Sequence, residues 1–450
     1  MFDMNYIHNS EGFRCRCIDW PAGSPAAHDC FAAMPEHFSA LLEDSGGGGR
    51  QYLCSRSGFR LHLPPEGASP DAAEDFFSSW QRHLADGVQH ESPGIRCLIY
   101  ASYEAGRLLE VLPRPKSTPP VALLWLLFPD WSICFDTDTE SVYLCSNGKN
   151  EGLDELEAML RSSVSRSRKV PGVVIGEIHQ GDPAAYMQAV ERTKAYIAAG
   201  DIFQANIARF WQAALPDEQG AALYGRLRTV NPAPFSAFLR VETEAESMQL
   251  ISASPERLFR LHPDGWADTR PIAGTRRRAS GEKDGALGDE LLLSEKERAE
   301  HIMLLDLERN DLGRVCRPGS VEVNECMVIE RYSTVQHIVS NVRGELAEGR
   351  DAVDLFQAMF PGGTITGCPK VRCMEVIHEM GDRARGPYTG GIGYIGWDGS
   401  ADMNILIRTF WLYRNRLHWA AGAGIVADSS PVFELEEAGY KAEGLLRAIR

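Results

Sequence analysis

Long hydrophobic runs are missing from the 450-residue sequence. The most apolar stretch extends only from Val121 to Phe128 and is followed by Pro129, whereas a membrane-spanning helix needs about 20 apolar residues. We therefore interpret this stretch as a buried strand. Residues 1–15 contain no apolar core of the kind that a secretion signal has. Both absences favour a cytoplasmic protein with no membrane segment.

Paired cysteines and basic surfaces are also missing. The cysteines number 11, which is odd, and none belongs to a Cys-x-x-Cys motif, so neither a disulfide framework nor a zinc site is indicated. The formal charge is −16, and Arg276 to Arg278 form the only strongly basic run. Because a nucleic-acid interface needs many cations to neutralise phosphates, this composition argues against a nucleic-acid partner.

Two motifs of other enzyme classes can be dismissed. The segment Gly391-x-Gly393-x-x-Gly396 has the glycine spacing of a dinucleotide-binding loop, but that loop requires a helix directly after it. Residues 397–400 have instead the composition of a tight turn between two strands, so we predict a hairpin and no nucleotide site. The Gly-x-Ser-x-Gly elbow of serine hydrolases does not occur in the sequence.

The density of motifs divides the chain at about residue 165. Residues 1–165 form an N-terminal region with weak motifs, and the Ser/Arg-rich stretch 162–171 has the composition of a linker. Residues 166–450 form the predicted catalytic domain. Apolar periodicity predicts helices at 186–199, 288–309, 351–359, 369–380 and 433–449, and strands at 202–207, 249–253, 257–262, 392–397 and 404–413. This mixture indicates an α+β fold class.

Two predicted helices carry paired glutamates at a spacing of three residues. The pairs are Glu297 with Glu300 and Glu434 with Glu437. Residues three apart share one face of a helix, and carboxylate oxygens are the ligands that Mg²⁺ prefers. If all four met in one cavity, a cation would offset a repulsion of roughly 4 kcal/mol per close pair. The same spacing also fits two solvated helix faces paired with Arg298 and Lys441.

Backbone-rich segments and two isolated polar residues are further candidates. Gly422-Ala423-Gly424 follows an aromatic strand and can present free N–H groups to a carboxylate. The Gly/Thr-rich segment 361–370 opens a predicted helix, whose N-terminus suits an anion. His337 lies in a segment that alternates like a strand, for which a core histidine is the plain interpretation. For Glu256, which lies at a strand boundary, the plain interpretation is a surface turn.

Taken in order, these segments resemble the chorismate-utilising enzymes, a family that includes anthranilate, aminodeoxychorismate, isochorismate and salicylate synthases. The resemblance covers roughly residues 180–450. The motifs that carry it are Gly200 to Gln204, Ser252 to Glu256, Pro271 to Thr275, Glu297 to His301, Asp306 to Leu312, Val335 to His337, Gly363 to Lys370, Gly422 to Gly424 and Glu434 to Lys441. It implies a large, intertwined fold of two subdomains in which helices flank antiparallel sheets.

The resemblance implies a metal site and a substrate site. The residues that would bind Mg²⁺ are Glu300 and Glu437 directly, and Glu297 and Glu434 through waters. The residues that would hold the two carboxylates of chorismate are Tyr388, Arg408, Gly422, Ala423, Gly424 and Lys441. Thr275 and Thr366 would line the pocket. His337 and Glu256 would flank the C4 hydroxyl and assist its departure as general acid and orienter.

Gln204 indicates the nucleophile, because it stands where family members that add water carry a lysine base. An amide cannot deprotonate water, so the resemblance implies ammonia and a synthase of the aminodeoxychorismate or anthranilate type. Thr364 to Gly367 favours aminodeoxychorismate synthase component I, as does Leu41 to Ser45, which departs from the feedback motif of tryptophan-regulated anthranilate synthases. Ala273 points the other way, since many aminodeoxychorismate synthases carry a covalently acting lysine there. We expect 4-amino-4-deoxychorismate as product, with anthranilate as the alternative.

Ammonia has to come from a partner, since no Gly-x-Cys-x-Gly glutaminase motif surrounds any cysteine. The resemblance implies a glutamine amidotransferase subunit that acts in trans. A function of a different class stays open: a catalytically silent regulatory or scaffold subunit that keeps the fold and binds an aromatic ligand. The complete set of four paired glutamates argues against that alternative.

Overall fold

The computed structural model describes residues 6–10, 13–21, 23–46, 48–66, 68–85, 92–113, 116–148, 152–163, 172–278, 282–331 and 335–450. Most of the predicted linker lies outside these residues. Within them, the α-helices are α1 Ala27–Ala33, α2 Pro70–Leu84, α3 Leu153–Ser163, α4 Pro183–Ala198, α5 Gly220–Val230, α6 Glu282–Leu293, α7 Glu295–Gly313, α8 Ala352–Met359, α9 Lys370–Met380 and α10 Pro431–Ile449. Short 3₁₀ helices occupy Pro35–His37, Tyr103–Leu108 and Asp217–Gln219.

The strands of the first half of the chain are short and mostly buried. They are β1 Tyr6–Ser10, β2 Phe13–Ile18, β3 Phe38–Glu43, β4 Arg50–Ser55, β5 Gly58–Leu63, β6 Ile95–Ala101, β7 Leu124–Pro129, β8 Trp131–Asp136, β9 Ser141–Ser146, β10 His179–Gln180 and β11 Gln204–Ala214. The predicted strand at 202–207 corresponds to the beginning of β11. The apolar stretch that ends at Phe128 forms β7, as expected for a buried strand.

The strands of the second half complete both sheets of the molecule. They are β12 Phe235–Glu242, β13 Ser247–Ser254, β14 Arg257–Leu261, β15 Trp266–Thr269, β16 Ile272–Arg277, β17 Glu322–Arg331, β18 Val335–Glu345, β19 Gly367–Cys368, β20 Gly391–Gly396, β21 Ala401–Ile405, β22 Thr409–Tyr413 and β23 Arg416–Ile425. β20 and β21 pair antiparallel across a tight turn, so the predicted hairpin is confirmed.

The strands form two large antiparallel sheets in which both halves of the chain are interlocked. One sheet has the order β1-β2-β9-β8-β4-β3-β12-β13-β22-β23-β11-β10, with β19 beside β11. The other has the order β16-β18-β15-β14-β21-β20-β6-β7-β5, with β17 beside β18. The predicted α+β class with antiparallel sheets is confirmed. Strands from both sides of residue 165 share each sheet, as in the pairs β3–β12 and β6–β20, and the division at that residue stays a prediction.

Local signals explain where α4 begins and ends. Oδ1 of Asp182 accepts a hydrogen bond from the N–H of Ala184 at 2.9 Å, and Pro183 occupies the first helical position. Both features are typical of a helix N-terminus. Gly200 follows the helix with a φ of +82°, a left-handed conformation that favours glycine and ends a helix. The helix predicted for 186–199 is therefore confirmed.

Two predicted elements are each divided in the structure. The strand predicted for 404–413 is wrong as a single element, because Arg408 adopts a φ of +50° and separates β21 from β22. The helix predicted for 288–309 consists of α6 and α7, since the hydroxyl of Ser294 caps the N–H of Glu297 at 3.3 Å and begins a new helix there. In the described part of the chain, we find no helix with the length and apolar character needed to cross a bilayer.

Candidate active site

Two glycines bring the backbone of β23 close to neighbouring side chains. A Cβ on Gly422 would lie 2.9 Å from the hydroxyl oxygen of Tyr388. A Cβ on Gly424 would overlap Nε2 of Gln204 on the paired strand β11. Neither position can accept a side chain without displacing its neighbour. The structure thus places Gly422, Ala423 and Gly424 beside the predicted residues Tyr388 and Gln204.

Helix α7 contributes its paired glutamates to the same region. Nε2 of Gln204 donates a hydrogen bond to Oε1 of Glu300 at 3.1 Å. A Cβ on Gly274 would lie 2.9 Å from Oε2 of Glu297, so the left-handed turn at this glycine, with a φ of +60°, leaves space for the carboxylate. The α7 pair therefore faces the edges of β11 and β16, as the shared helix face predicts.

Glu256 is a buried carboxyl group at the junction of β13 and β14. It is 7% exposed, so the surface-turn interpretation is wrong. Burial raises the pKa of Glu256 to about 7, while the nearby Thr364 hydroxyl and the cations of Arg408 and Lys441 oppose the shift. Among the described residues, Oε1 of Glu256 has no hydrogen-bond partner. Glu256 therefore keeps its proton up to about pH 7, and its Oε1 atom is available to a ligand.

His337 lies across from Glu297 on the other side of Gly274. It is 5% exposed on β18, and its Nδ1 atom is 3.3 Å from the carbonyl oxygen of Gly274. Burial lowers the pKa of His337 to about 4, so the imidazole is neutral near pH 7. Its backbone pairs with that of Thr275 on β16, and the Thr275 side chain lies outside the described part of the structure.

Arg408 and Thr366 both lie near this pocket, but in different ways. Burial lowers the pKa of Arg408, and the charge of Glu256 opposes that shift, which places the guanidinium close to the carboxyl. The hydroxyl of Thr366 is fully buried and donates to the carbonyl oxygen of Gly362 at 2.8 Å. Because its hydrogen is used inside its own loop, Thr366 can offer a ligand only its oxygen.

Helix α10 begins directly beyond β23 and carries the second glutamate pair. Glu434 is 6% exposed, and its carbonyl oxygen accepts a hydrogen bond from the hydroxyl of Tyr186 at 3.5 Å. Oε1 of Glu437 is 2.8 Å from Nζ of Lys441, which also influences the pKa of Glu256. Through Lys441, α10 therefore lies near enough to Glu256 to influence its charge.

The sequence pattern of the family of chorismate binding enzymes matches residues 54–447. The chain belongs to this family. Aminodeoxychorismate synthase component 1 of Bacillus subtilis is 42% identical over 391 residues, which are 83% of this chain and 81% of that protein. Anthranilate synthase component 1 of Thermus thermophilus is 43% identical over 363 residues, or 78% and 76% of the two chains. The family resemblance inferred from the motifs is confirmed.

A solved member of the chorismate-binding family has the same overall architecture. Anthranilate synthase component I of Streptococcus pneumoniae superposes with a TM-score of 0.75 at 27% identity, and the match covers 90% of this chain and 92% of the other. The menaquinone-specific isochorismate synthase of Escherichia coli has a TM-score of 0.74 at 19% identity, which supports the fold alone. The implied chorismate-binding fold is thus confirmed.

The acidic residues of this family member have the donor chemistry of a Mg²⁺ site. All four predicted ligands are carboxylates, which suit a hard cation. Two of them are engaged by other side chains, Glu300 by Gln204 and Glu437 by Lys441. Among the described residues, His, Cys, Asp and Glu side chains do not gather in groups of three that could hold a metal ion. The metal site stays a prediction.

Sequence reasoning missed a buried acidic group below the pocket. Glu308 and Asp311 of α7 are 3% and 2% exposed, and Nζ of Lys370 bonds to Asp311 and to the carbonyl oxygen of Met359. The signal was available, because Glu300, Glu308 and Asp311 recur at helical spacing along one face of α7. Thr364, beside Glu256, was also missed as a site residue.

Proposed function

We propose that this chorismate-binding enzyme combines chorismate with ammonia to give 4-amino-4-deoxychorismate and water, in a Mg²⁺-dependent reaction. The observation that carries the proposal is the side chain of Gln204. It is buried beside Glu300, and an amide cannot deprotonate water. Among the described residues its Oε1 atom has no hydrogen-bond partner. That oxygen can accept a hydrogen bond from ammonia, which attacks without prior deprotonation.

The leaving hydroxyl of chorismate needs a proton donor, and Glu256 fits this role. With a pKa raised to about 7 by burial, it retains a proton over the range in which a general acid is effective. As the C4–O bond breaks, Glu256 gives its proton to the departing oxygen, and water leaves. The nitrogen of ammonia forms the new C–N bond and returns one proton to the Glu256 carboxylate. His337, whose pKa is lowered to about 4, is neutral near pH 7 and would orient the hydroxyl, so the roles implied by the resemblance, His337 as acid and Glu256 as orienter, are exchanged.

The remaining residues of the pocket would bind and orient chorismate. Arg408 offers a planar, two-pronged donor for one carboxylate, and the phenol of Tyr388 lies at the backbone of Gly422. The N–H groups of the segment 422–424 and the ammonium of Lys441 would hold the second carboxylate. Thr275 and Thr366 would line the pocket, so that the ring is fixed with its C4 hydroxyl towards Glu256.

Mg²⁺ would be held by the four glutamates of α7 and α10. We infer direct bonds from Glu300 and Glu437, and bonds through water from Glu297 and Glu434. When bound, the ion supplies positive charge that fixes a substrate carboxylate and offsets repulsion among the acidic side chains. The amide of Gln204 and the ammonium of Lys441 contact the two proposed direct ligands, Glu300 and Glu437.

Ammonia would be supplied by a separate glutamine amidotransferase subunit, and the complex would work in the cytoplasm. The support is the lack of a glutaminase motif in this sequence together with the similarity to component 1 of an aminodeoxychorismate synthase. Mixing the purified chain with such a subunit tests this part: glutamine should then replace ammonium salt as nitrogen source. Turnover with glutamine in the absence of any partner would contradict it.

Anthranilate synthesis is the second candidate, favoured by one residue. Ala273 occupies the position of a covalent lysine in many aminodeoxychorismate synthases, and anthranilate synthases also have alanine there. Several similar relatives are named anthranilate synthase component 1. The two reactions differ in that only anthranilate formation releases pyruvate, so the products can be separated cleanly.

Mass spectrometry of the product tests the proposal. The purified chain is incubated with chorismate, Mg²⁺ and ammonium salt, and pyruvate is assayed in parallel. We expect a product with the mass of 4-amino-4-deoxychorismate and no pyruvate. Anthranilate with an equal amount of pyruvate would establish the second candidate, and no consumption of chorismate would favour a silent regulatory or scaffold subunit. Glu300→Gln should lose Mg²⁺-dependent turnover. Glu348→Gln, a change at an exposed glutamate, is the matched control and should keep that turnover.

A further inference from the structure

The segment Asp306 to Leu312 belongs to the family motifs but has no part in the site described above. It forms the last turns of α7. Glu308 lies eight residues beyond Glu300, and Asp311 three residues further, so all three recur on one face of the helix. At the end of the helix this face is buried, since Glu308 and Asp311 are 3% and 2% exposed.

Glu308 and Glu256 both lie next to one short segment of backbone, Gly363 and Thr364. Oε1 of Glu308 is 3.0 Å from the position that a Cβ on Gly363 would occupy. The next residue, Thr364, lies beside the carboxyl of Glu256. Both glutamates are buried, at 3% and 7% exposure, and they interact electrostatically. Gly363, which has no side chain, therefore leaves space for the Glu308 carboxyl beside the residue that neighbours Glu256.

The charges around this pair come from four elements. Asp311 on α7 and Lys370 on α9 face Glu308, and Lys370 is bonded to Asp311. Arg408 and Lys441 face Glu256. Burial and the Asp311 carboxylate raise the pKa of Glu308 to about 8. The charge of Lys370 opposes this shift, but burial outweighs it, so Glu308 and Glu256 would repel each other if both were ionised.

We propose that Glu308 is a positioning residue for the acid Glu256: by staying neutral, it keeps a second negative charge away while Glu256 alternates between acid and carboxylate. The inference rests on the proposed function, in which Glu256 gives its proton to the leaving hydroxyl. An ionised Glu308 opposes that step, because it raises the energy of the Glu256 carboxylate that forms. The active form therefore carries a proton on both glutamates.

The alkaline limb of the pH profile tests this role, since a merely structural residue would not change its steepness. Chorismate consumption is measured at constant free ammonia, and kcat/KM is normalised to the plateau of each variant. In the wild type, the slope of log kcat/KM should approach about −2 above pH 8, because both protons are needed. In Glu308→Gln the slope should be about −1, so that at pH 9 it retains roughly tenfold more of its plateau activity.

Equal slopes of about −1 in both proteins would overturn the proposal, because Glu308 would then have no influence on the acid. Glu348→Gln, a change at an exposed glutamate beyond β18, is the matched control and should keep the wild-type slope. If Glu308→Gln does not fold, Asp311→Asn replaces it. That variant removes the negative charge that raises the pKa of Glu308, so Glu308 loses its proton at lower pH and the steep part of the limb should move downward. An unchanged limb in Asp311→Asn would overturn the proposal.

A second measurement separates this inference from the proposed function, because it needs no turnover. The shifts in Tm of Glu256→Gln, Glu308→Gln and the double variant are compared at about pH 6 and about pH 9. At the lower pH, where both carboxyls are neutral, the Tm shift of the double variant should equal the sum of the two single shifts. At the higher pH it should differ from that sum. Additive shifts at both values would overturn the carboxyl pair. Coupling without chorismate consumption would uphold the pair and refute the proposed function alone.

Discussion

Glu104 and Glu256 are two buried glutamates in different regions that share one electrostatic property. They are 6% and 7% exposed, and burial raises the pKa of each to about 7. Their hydrogen bonds differ. Oε1 and Oε2 of Glu104 accept the N–H groups of Arg385 at 2.6 Å and Gly386 at 3.0 Å. Oε1 of Glu256, in contrast, has no partner among the described residues.

The comparison shows that a shifted pKa does not by itself identify a catalytic group. Glu104 is buried because it holds the backbone of a loop, so both of its oxygens are used. Glu256 is buried just as deeply, but its Oε1 atom has no hydrogen-bond partner among the described residues and can accept a bond from a ligand. A buried, protonated carboxyl with an oxygen that makes no hydrogen bond is the more specific signal of a ligand site.

The largest expected effect is the loss of activity in Glu256→Gln. The amide keeps the shape of the side chain but cannot give a proton to the leaving hydroxyl, so kcat should fall by about 10²- to 10⁴-fold. Steady-state chorismate consumption measures this, with Glu104→Gln as the matched control because it alters an equally buried carboxyl whose oxygens both accept backbone N–H groups. If both variants lost activity equally, the distinction between the two regions would be wrong.

The reverse pattern is expected for stability. In Glu104→Gln, the new NH₂ group faces one of two backbone N–H donors, and leaving that donor unsatisfied should cost about 1–3 kcal/mol of unfolding free energy. Glu256→Gln loses no such bond. Urea unfolding compares the two variants, and because the pKa of each carboxyl is raised to about 7, the contribution of ionisation is similar in both and cancels. Equal stability of the two variants would contradict the assigned hydrogen bonds.

The pH dependence of stability should reveal the cost of ionising Glu256. Its pKa is raised in the folded state from a usual 4.5 to about 7, so the folded protein binds the proton more tightly than the unfolded chain does. The resulting stabilisation is complete below about pH 4.5 and is lost as the pH rises to 7, on the order of 3 kcal/mol in total. At about pH 8, Glu256→Gln should therefore be more stable than the wild type. Equal stability there would show that Glu256 ionises at its ordinary pKa.

The smallest effect is expected for Thr364→Val, which tests the surroundings of Glu256 alone. The Thr364 hydroxyl lowers the pKa of Glu256, and valine has the same shape without it. The alkaline limb of kcat/KM should move upward by less than about one pH unit. A limb that moves downward would mean that the hydroxyl stabilises the protonated form instead.

The sequence alone was enough to predict features that depend on residues close together in the chain. The glutamate pairs share helix faces because a spacing of three residues is a local property, and the hairpin after Gly396 follows from its turn residues. The contact between Gln204 and Glu300 joins positions that are 96 apart, so only the family motifs connected them. The break of the predicted 404–413 strand depends on the backbone of Arg408, which no local pattern reveals.

The environment of Glu256 was beyond sequence reasoning for a physical reason. A glutamate at a strand boundary normally reaches water, and whether it does so here depends on the loop around Thr364 and on Arg408, which are far away in the sequence. The pKa shift and the unused oxygen both arise from that packing. Glu308 differs, because its position on the face of α7 was readable from spacing, although its burial was not.

Gly424 and Gln204 have a consequence for how this chemistry can be altered. Because a Cβ on the glycine would overlap the amide nitrogen, the two positions fill one volume between adjacent strands. A residue longer than glutamine at 204 enters space bounded by the glycine backbone, and any residue larger than glycine at 424 expels the amide. Attempts to exchange the nucleophile by design should therefore vary both positions together, since libraries at either position alone will contain mainly misfit pairs.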